Sequence, residues 1–512
     1  MFKKLLVANR GEIALRVLRA CRELGITGVA VYSDVDRDSL HVRYADEAYL
    51  LGPASAADSY LNATKLLRIA KKAKADALHP GYGFLAENAD FAQACRDSGI
   101  TFVGPTPESI RLLGDKIQAR RLMREAGIPV VPGTDELPSI DTAHLAATRM
   151  GFPILVKAAG GGGGKGIRAV YRADELHTAM EAARREAGAA FGYGALYLEK
   201  FLEPVRHVEV QVIADHHGTV VTLGERECSI QRRYQKMIEE APSTAVDEAL
   251  RQRLMEMAVR AGKAADYVNV GTVEFLLDEE GNPSFLEVNT RLQVEHPVTE
   301  LVMGVDLAAD QILVAEGEPL PYRQGERKLR GWAIECRIAA EDPFNEFLPS
   351  VGRVSFVSEP GGPGVRVDSA LYNGTDISHY YDPLIAKLST WGRDRAEAIQ
   401  RMRRALQEFK IVGISTNIPF HLQVMDNVHF IAGAMDTTFV DKHFRLDQQS
   451  ELENEEIALV AASLLAHIKR QEAPSSSWPA DVPGDPWRLQ GRRSGLRERD
   501  WGMRRVTWRK ST

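Results

Sequence analysis

The first 113 residues alternate strand-like and helix-like segments, and this order restricts the fold more than any other feature of the chain. The apolar, strand-like segments are KLLVAN (4–9), TGVAVYS (27–33), DALHP (76–80) and ITFVG (100–104). Amphipathic stretches such as GEIALRVLRACRELG separate them. Such alternation predicts an open, mostly parallel α/β sheet, whose ligands bind at the carboxyl ends of the strands. Residues 9–12 and 81–83 follow two of these strands, so we expect them beside a ligand.

A second constraint is the segment PILVKAAGGGGGKGIRAV, residues 153–170, which contains five consecutive glycines between two strand-like flanks. The Walker A pattern fails, because Ala159 and Gly166 stand where it needs glycine and Ser/Thr. A dinucleotide fingerprint would need a helix after the glycines, and here a strand follows. The segment predicts a hairpin that closes over nucleotide phosphates, with Lys157 directed inward. A flexible surface hairpin is the alternative interpretation.

The remaining chain changes character in three steps. Residues 114–203 predict a helical connector, the glycine hairpin, a helix near 174–190 and the strand ALYLEKFL. Residues 204–330 contain longer strands of antiparallel type, including RHVEVQVIAD, TVVTLGERECSI and GTVEFLLD. Residues 331–446 predict a mixed α+β region. The tail at 447–512 combines a helix-like stretch, a Pro/Ser-rich linker and a segment in which basic residues alternate with tryptophans.

The segment SFLEVNTRLQVEHPVTE, residues 284–300, carries most of the chemical information. Read as one strand, it places Phe285, Glu287, Asn289, Arg291, Gln293 and Glu295 on one face and apolar residues on the other. Together with Glu274 on a neighbouring strand, these acids and the amide offer hard oxygen ligands for Mg²⁺. Arg291 can bind an anion through its planar guanidinium. An exposed amphipathic strand is the alternative.

Composition excludes some functions and favours one compartment. The 512 residues carry a formal net charge of −6, which argues against a protein that coats nucleic acid or an anionic membrane. No apolar run reaches the length of a membrane span, and the apolar run near the amino terminus is too short for a signal peptide. The scattered cysteines have no metal-site spacing. We therefore expect a cytoplasmic protein with reduced thiols.

Several motifs together resemble biotin carboxylase, an ATP-grasp ligase: LLVANRGEIALRV, HPGYGFLAEN, GDK, ECSIQRRYQK and EVNTRLQVEHPVTE. The resemblance spans residues 1–446. It implies a Rossmann-like (pre-ATP-grasp) domain at 1–113 and an ATP-grasp fold at 114–330 with a mobile glycine-rich lid at about 131–203. It also implies a C-terminal mixed α+β domain at 331–446, and it leaves 447–512 as an additional tail.

The resemblance also assigns roles to individual residues. Those at positions that bind ATP are Lys116, Lys157, Gly163, Gly164, Glu199, Lys200, Leu202, His207, Gln231, Tyr234, Glu274 and Glu287. Those at metal positions, for two Mg²⁺ or Mn²⁺ ions, are Glu274, Glu287 and Asn289. Those at bicarbonate positions are Lys236, Arg291, Gln293 and the backbone of Val294. Glu295 matches the general base, and Arg337 matches the arginine that faces biotin; with Arg291 and Lys236 they form the predicted catalytic set.

In this family ATP phosphorylates bicarbonate to carboxyphosphate, and the CO₂ released from it carboxylates biotin. No Met-Lys-Met biotinylation signature occurs in the chain, so we expect biotin to arrive on a separate carrier protein. The expected partners are a biotin carboxyl carrier protein, carboxyltransferase subunits and a second copy of the chain. Docking of these subunits is one interpretation of the tail. A tail that is packed on its own chain or disordered is another, and nucleic-acid binding is the least favoured.

Three points stay open at the level of sequence. The final acceptor can be acetyl-CoA, propionyl-CoA, pyruvate or another acid. Tyr234 stands where many relatives have histidine, and a tyrosine cannot become cationic at neutral pH. Two alternative functions are another ATP-grasp ligase that forms an acyl phosphate and a non-catalytic nucleotide-binding scaffold. Arg337 and the segment 293–295 argue against the first, and retention of every lysine, acid and base argues against the second.

Overall fold

The computed structural model describes residues 1–137, 139–159, 167–191, 195–444 and 463–464. The predicted phosphate-covering residues Gly163 and Gly164 lie outside the described residues. So does nearly all of the predicted tail at 447–512. Among the described residues, no helix combines the length and the apolar character that crossing a bilayer requires.

The amino-terminal segments form a five-stranded parallel sheet covered by helices, as the alternation predicts. Its elements are β1 (Lys4–Val7), α1 (Gly11–Glu23), β2 (Thr27–Ser33), α2 (Leu40–Tyr44), β3 (Glu47–Gly52), α3 (Ala63–Ala73), β4 (Ala77–His79), α4 (Ala89–Asp97), β5 (Thr101–Phe102), α5 (Pro107–Gly114) and α6 (Lys116–Glu125). The strand order is β3-β2-β1-β4-β5, and all neighbouring pairs are parallel. Leu5, Leu6 and Val7 are fully buried because helices cover both faces.

Strand β3 was not among the predicted strands. The connection from β2 to β3 contains only a 3₁₀ turn and the five-residue helix α2, so no amphipathic stretch of ordinary length signals a crossover there. The helices α3 and α4 begin directly after Asn62 and Asn88, whose side chains accept hydrogen bonds from backbone N–H groups in the first turns.

A small antiparallel sheet carries the glycine-rich segment. Its elements are α7 (Ile140–Met150), β6 (Ile154–Ala158), β7 (Arg168–Val170), α8 (Leu176–Phe191) and β8 (Leu196–Lys200). The strand order is β7-β6-β8, and β6 and β7 pair antiparallel on either side of the glycines. The strand–glycine–strand hairpin predicted from the sequence is therefore confirmed for the described residues. Helices α7 and α8 cover the sheet with apolar side chains, including Leu176 and Met180.

The largest sheet has eight strands and spans residues 206–392. The elements of its first part are β9 (Arg206–Ala214), β10 (Val220–Arg232), β11 (Gln235–Ala241), α9 (Glu248–Ala264), β12 (Asn269–Leu277), β13 (Pro283–Asn289), α10 (His296–Met303) and α11 (Leu307–Ala315). These strands pair antiparallel, as their length and pattern predict. Polar and apolar residues alternate along β9, so one face carries His207, Glu209 and Gln211. The opposite face carries Val208, Val210 and Val212.

The carboxyl-terminal part continues the same sheet. Its elements are β14 (Trp332–Ala339), β15 (Glu341–Asp342), β16 (Leu348–Pro349), β17 (Gly352–Arg353), β18 (Phe356–Ser358), β19 (Val365–Ser369), β20 (Asp376–Ile377), β21 (Leu384–Gly392), α12 (Arg395–Glu408), β22 (Lys410–Val412), α13 (Ile418–Asp426), α14 (Val428–Ile431) and α15 (Phe439–His443). The order of the large sheet is β13-β12-β9-β10-β11-β14-β21-β19. The sheet is thus continuous across residue 330, where the sequence places a domain boundary; the boundaries themselves stay predictions.

The prediction of one strand over residues 284–300 is wrong beyond Asn289. Strand β13 ends there, residues 290–295 form a loop, and helix α10 begins at His296 with Pro297 in its first turn, a position where a missing N–H costs nothing. Phe285 also departs from the predicted face. The register between β12 and β13 shifts beside Glu274, so Phe285 packs against Phe275 in the core while Leu286 lines the cavity described below.

The four cysteines are free and buried, as the expectation of reduced thiols requires. Burial raises the pKa of each: Cys21 and Cys95 to about 12, and Cys228 and Cys336 well above the usual range. All four therefore stay protonated at neutral pH and are poor nucleophiles.

A buried glutamate in the large sheet makes the stability depend on pH. Burial raises the pKa of Glu335 to about 8, and Glu239 adds to the increase while Lys387 opposes it. Because the folded-state pKa exceeds the unfolded value, Glu335 disfavours folding progressively as the pH rises from about 4.5 to about 8. Ser389 donates a hydrogen bond of 2.7 Å to one carboxylate oxygen, which a glutamine carbonyl can also accept.

We therefore expect Glu335→Gln to raise the melting temperature at about pH 9 by a few degrees and to change it little at about pH 5. Thermal unfolding monitored across this pH range measures the difference. Glu359→Gln, at an exposed position, is the matched control and should follow the unmodified chain. A constant offset at every pH would contradict the assignment.

Candidate active site

A cavity of about 820 Å³ lies between the parallel sheet, the small antiparallel sheet and the large sheet. Residues 9–12 and 82–84, which follow β1 and β4, form one wall, in agreement with the expectation that a ligand binds at these strand ends. The predicted site residues that line the cavity are Lys116, Lys157, Glu199, Lys200, Leu202, His207, Gln231, Tyr234, Lys236, Glu274, Glu287, Asn289, Arg291, Gln293, Val294 and Arg337. Residues from at least six separate regions of the chain thus meet in one place.

The two predicted metal-binding glutamates are direct neighbours on adjacent strands. Glu274 on β12 pairs in register with Glu287 on β13, and the Asn289 amide donates a hydrogen bond of 2.8 Å to Glu274. In this structure Lys116 lies 2.8 Å from Glu287, and His207 lies 3.0 Å from the second Glu274 oxygen. Two carboxylates and an amide oxygen at the cavity wall are the hard donors that Mg²⁺ or Mn²⁺ requires, so the residues present fit the predicted metal.

Lys236 is the central cation of the site. Its ammonium lies 2.5 Å from Glu209, 2.8 Å from Glu274 and 2.7 Å from Glu295. The side chain is only 12% exposed. Burial alone would lower the pKa of Lys236, but the three carboxylates outweigh burial and raise it well above its usual value. Lys236 is therefore charged, and it holds together strands β9, β11, β12 and the loop before α10.

The loop that follows β13 points Arg291 and Gln293 into the cavity. The Arg291 guanidinium donates hydrogen bonds to Glu87 (3.0 Å), to the Gln293 side chain (2.9 Å) and to Asn289 (3.3 Å). Glu87 belongs to the amino-terminal region, so this contact fixes the loop against the parallel sheet. The Val294 backbone also lines the cavity. Lys236, Arg291, Gln293 and Val294 thus converge as predicted and can surround a small anion with N–H donors.

Glu295 lies behind the cavity wall and not on it. Its side chain is fully buried, and its oxygens accept hydrogen bonds from Lys236 (2.7 Å) and Arg337 (2.8 Å). Burial would raise the pKa of Glu295, but Lys236, Arg337 and Arg226 together hold it well below its usual range. Glu295 is therefore ionised and able to accept a proton. Arg337, whose Nε donates to Glu239 at 2.5 Å, lines the cavity beside it.

The end of the cavity that strands β6 and β8 line is built around a buried carboxylate. Glu199 on β8 is 1% exposed; one oxygen pairs with Arg120 at 2.5 Å, and the other accepts a hydrogen bond from Lys157 on β6. Lys200 and Leu202 follow on the same wall. Lys157 therefore points inward, as predicted.

Tyr234 lies at the tip of the hairpin that joins β10 and β11. Its φ is +64° and that of Arg233 is +50°, which completes the tight turn between the strands. The ring is 51% exposed and borders the cavity mouth. Farther inside, the Gln231 amide donates a hydrogen bond of 2.8 Å to His207, and because an amide NH₂ only donates, His207 accepts through Nδ1.

Several residues that shape the site were not singled out from the sequence. Glu209 alternates with valines along β9, so strand periodicity could have indicated it, whereas Glu239 stands beside Glu240 on β11, where the alternation is broken. Arg120 looks like any other basic residue of an amphipathic helix. Glu87, which accepts a hydrogen bond from Arg291, had only its motif to indicate it. Their roles depend on contacts between regions distant in sequence.

Three features together define an ATP-grasp ligase: a hairpin whose strand β6 lines the cavity, inward lysines, and paired carboxylates on antiparallel strands. Family models agree: residues 115–323 match the "Carbamoyl-phosphate synthase L chain, ATP binding domain". Residues 1–110 match "Biotin carboxylase, N-terminal domain", and residues 335–442 match "Biotin carboxylase C-terminal domain".

Individual relatives give the same answer. The chain is 52% identical to biotin carboxylase 1 of Bacillus subtilis over 445 residues, which are 86% of this chain and 99% of the relative. It is 47% identical to mitochondrial pyruvate carboxylase of mouse over 490 residues, which cover 94% of this chain and 41% of that protein. A solved structure, the biotin carboxylase domain dimer of Hydrogenobacter thermophilus 2-oxoglutarate carboxylase with MgADP, ADP and bicarbonate, superposes with a TM-score of 0.85 at 48% identity, covering 86% of this chain and 98% of the other. The chain belongs to the biotin carboxylase family.

The buried charges around Lys236 generate a prediction about folding. In Lys236→Met, Glu209, Glu274 and Glu295 lose their shared counter-ion, so the free energy of unfolding should fall by about 3–5 kcal/mol near neutral pH. Without the ammonium the pKa values of these carboxylates rise, and protonation at lower pH relieves their repulsion. The deficit should therefore be smaller at about pH 5 than at about pH 8.

Denaturant titrations at the two pH values measure this deficit. Lys442→Met removes a lysine that is 50% exposed, and it should have little effect at either pH. A Lys236→Met deficit that is the same at both pH values would contradict the charge-compensation account.

Proposed function

We propose that this chain carboxylates biotin presented by a separate carrier protein, with MgATP and bicarbonate as the other substrates. The observation that carries the proposal is the convergence of Lys236, Arg291 and Arg337 at the cavity wall, where Lys236 and Arg337 donate hydrogen bonds to the buried Glu295 carboxylate behind it. This constellation supplies cations for an anion, a carboxylate that can take its proton and an arginine for a second reactant. Assignment to the biotin carboxylase family agrees with ATP-dependent biotin carboxylation, and it disfavours both alternative functions.

The nucleotide end of the site would bind and orient ATP. Lys116 and Lys157 would contact its phosphates, while Glu199, Lys200 and Leu202 would border the adenine base. Glu274, Glu287 and Asn289 would hold Mg²⁺ or Mn²⁺, which neutralises phosphate charge when bound. Lys116 and Glu287 now pair with each other, so nucleotide binding would exchange this ion pair for contacts with phosphate and metal.

Bicarbonate would lie between Lys236, Arg291, Gln293 and the Val294 N–H. Glu295 would accept its proton as a bicarbonate oxygen attacks the γ-phosphorus and ADP leaves, which gives carboxyphosphate. The same anion draws Lys236 away from Glu295, and loss of that contact raises the pKa of Glu295 from its low resting value. The base thus becomes stronger when its substrate is present.

Biotin would enter beside Arg337. Carboxyphosphate would release CO₂ by cleavage of its C–O(P) bond, and the phosphate left behind would take the N1′ proton as N1′ attacks CO₂. The guanidinium would stabilise the enolate-like oxygen that develops on the ureido ring in this step. The pairing of Arg337 with Glu239 and Glu295 keeps its planar group aimed at one place. Closure of the small sheet over the cavity would exclude water from carboxyphosphate.

The assembly of the chain is also part of the proposal. The dimer of the Hydrogenobacter relative supports a homodimer, and the expected partners are a biotin carboxyl carrier protein and carboxyltransferase subunits. The match to mouse pyruvate carboxylase covers a larger share of this chain than the match to the Bacillus relative, so it extends into the tail at 447–512. This extension supports a docking role for the tail. A cytoplasmic location is proposed from the free, buried thiols.

ADP release with MgATP and bicarbonate, measured with and without biotin, tests the function. We expect release that requires both bicarbonate and biotin in the unmodified chain. Arg337→Ala should lose the biotin-dependent ADP release, and Glu295→Gln should lower kcat by about 10²–10⁴-fold. Both variants keep their fold if their melting temperatures stay close to that of the unmodified chain.

The control for substrate form is the same assay with a biotinylated carrier protein. Turnover with the carrier alone also supports the proposal, because a separate carrier is the expected donor of biotin. ADP release that ignores biotin in both forms and survives Arg337→Ala would instead indicate an ATP-grasp ligase with another acceptor.

A further inference from the structure

The loop between β13 and α10 presents one backbone N–H group to the anion site, and the structure shows what orients it. Val294 lines the cavity, and its N–H has no hydrogen-bond partner among the residues that the structure describes. A free N–H at a cavity wall can bind an anion only if its peptide plane faces the correct way. Two buried side chains outside the cavity, His296 and Lys387, hold the two peptide planes that flank Val294.

His296 fixes the first plane. Its Nδ1 lies 2.7 Å from the carbonyl oxygen of Gln293, and a carbonyl only accepts, so Nδ1 carries the hydrogen. This carbonyl belongs to the same planar peptide unit as the Val294 N–H, so a bond to the oxygen sets the direction of the N–H. His296 is fully buried, and burial together with Lys387, Arg16 and Arg366 holds its pKa well below the usual value. The ring is therefore neutral and a stable donor.

Lys387 fixes the second plane. Its ammonium donates a hydrogen bond of 3.0 Å to the carbonyl oxygen of Val294, in the peptide unit that leads into Glu295. Lys387 is fully buried on β21 and lies 3.3 Å from Glu12 and 3.8 Å from Asp368. These two carboxylates, one from the amino-terminal and one from the carboxyl-terminal part of the chain, compensate the charge of Lys387 and fix its position.

We propose that His296 and Lys387 are positioning residues that orient the Val294 N–H and the Glu295 backbone toward bicarbonate. The inference rests on the proposed function, because that function identifies the anion. Neither side chain lines the cavity, so each acts through the loop and not through contact with a substrate. A rotated peptide plane would weaken bicarbonate binding and leave the nucleotide end of the cavity intact.

A matched pair of neutral variants tests the role of His296. The amide nitrogen of asparagine can occupy the place of Nδ1, whereas that of glutamine corresponds to Nε2. We expect His296→Asn to keep the KM for bicarbonate within about threefold of the unmodified chain. His296→Gln and His296→Ala should raise it about 10- to 100-fold, the usual cost of a misplaced binding group, with little change in the KM for MgATP.

Lys387 needs a paired variant, because Lys387→Met alone leaves the buried Glu12 without its ion-pair partner, whereas Asp368 keeps Arg366 at 2.8 Å. The double variant Glu12→Gln/Lys387→Met removes one positive and one negative charge, and Glu12→Gln alone is its reference. The double variant should show a higher KM for bicarbonate than Glu12→Gln alone. The three His296 variants keep the proposal testable if the double variant does not fold.

The outcomes separate this inference from the proposed function. Bicarbonate-independent ADP release by the unmodified chain would contradict the proposed function before any variant is compared. With an active unmodified chain, equal KM values for bicarbonate in His296→Asn and His296→Gln would overturn the positioning role. A purely structural role would lower the melting temperature and the active fraction and leave the ratio of the two KM values unchanged.

Discussion

One buried ammonium determines how the active site is assembled. Lys236 contacts carboxylates from β9, from β12 and from the loop before α10, and no two of these segments are consecutive in sequence. Like charges this close repel strongly in a medium of low dielectric constant, so the three segments can meet only around a cation. Arg226, fully buried and 2.5 Å from Glu209, adds a second positive charge. The arrangement of strands around the cavity therefore depends on the balance between these charges.

The same balance explains how substrates can enter such a site. Several predicted substrate-binding cations already have a carboxylate partner, among them Lys116 with Glu287, Lys157 with Glu199, and Arg291 with Glu87. Binding of an anionic substrate with its metal replaces one partner by another and does not bury a new, unpaired charge. The free-energy cost of desolvating these charged side chains thus arises during folding and not on substrate binding. The side chains are therefore already oriented before the reaction begins.

Much of this organisation could be predicted from local sequence patterns. Strand–helix alternation indicated the parallel sheet, and the flanks of the glycine run indicated the β6–β7 hairpin. Of the residues that the motif resemblance singles out, sixteen line one cavity. The predictions that were wrong concern geometry that local sequence patterns do not encode. The strand predicted through Glu295 ends at Asn289, and the register shift beside Glu274 moves Phe285 into the core. Arg120 and Lys387 gain their roles only from contacts between distant segments, and His296 gains its role from the loop that replaces the predicted strand.

The central claim is that this cation-rich wall directs a bicarbonate oxygen to the γ-phosphorus of ATP. Transfer of ¹⁸O from labelled bicarbonate to inorganic phosphate, followed by mass spectrometry during biotin-dependent turnover, measures it most directly. The account predicts one bicarbonate oxygen in each phosphate released, because the P–O bond formed in carboxyphosphate stays with phosphorus when CO₂ leaves. Phosphate whose fourth oxygen comes from water would contradict it, since hydrolysis and not attack by bicarbonate would then cleave ATP.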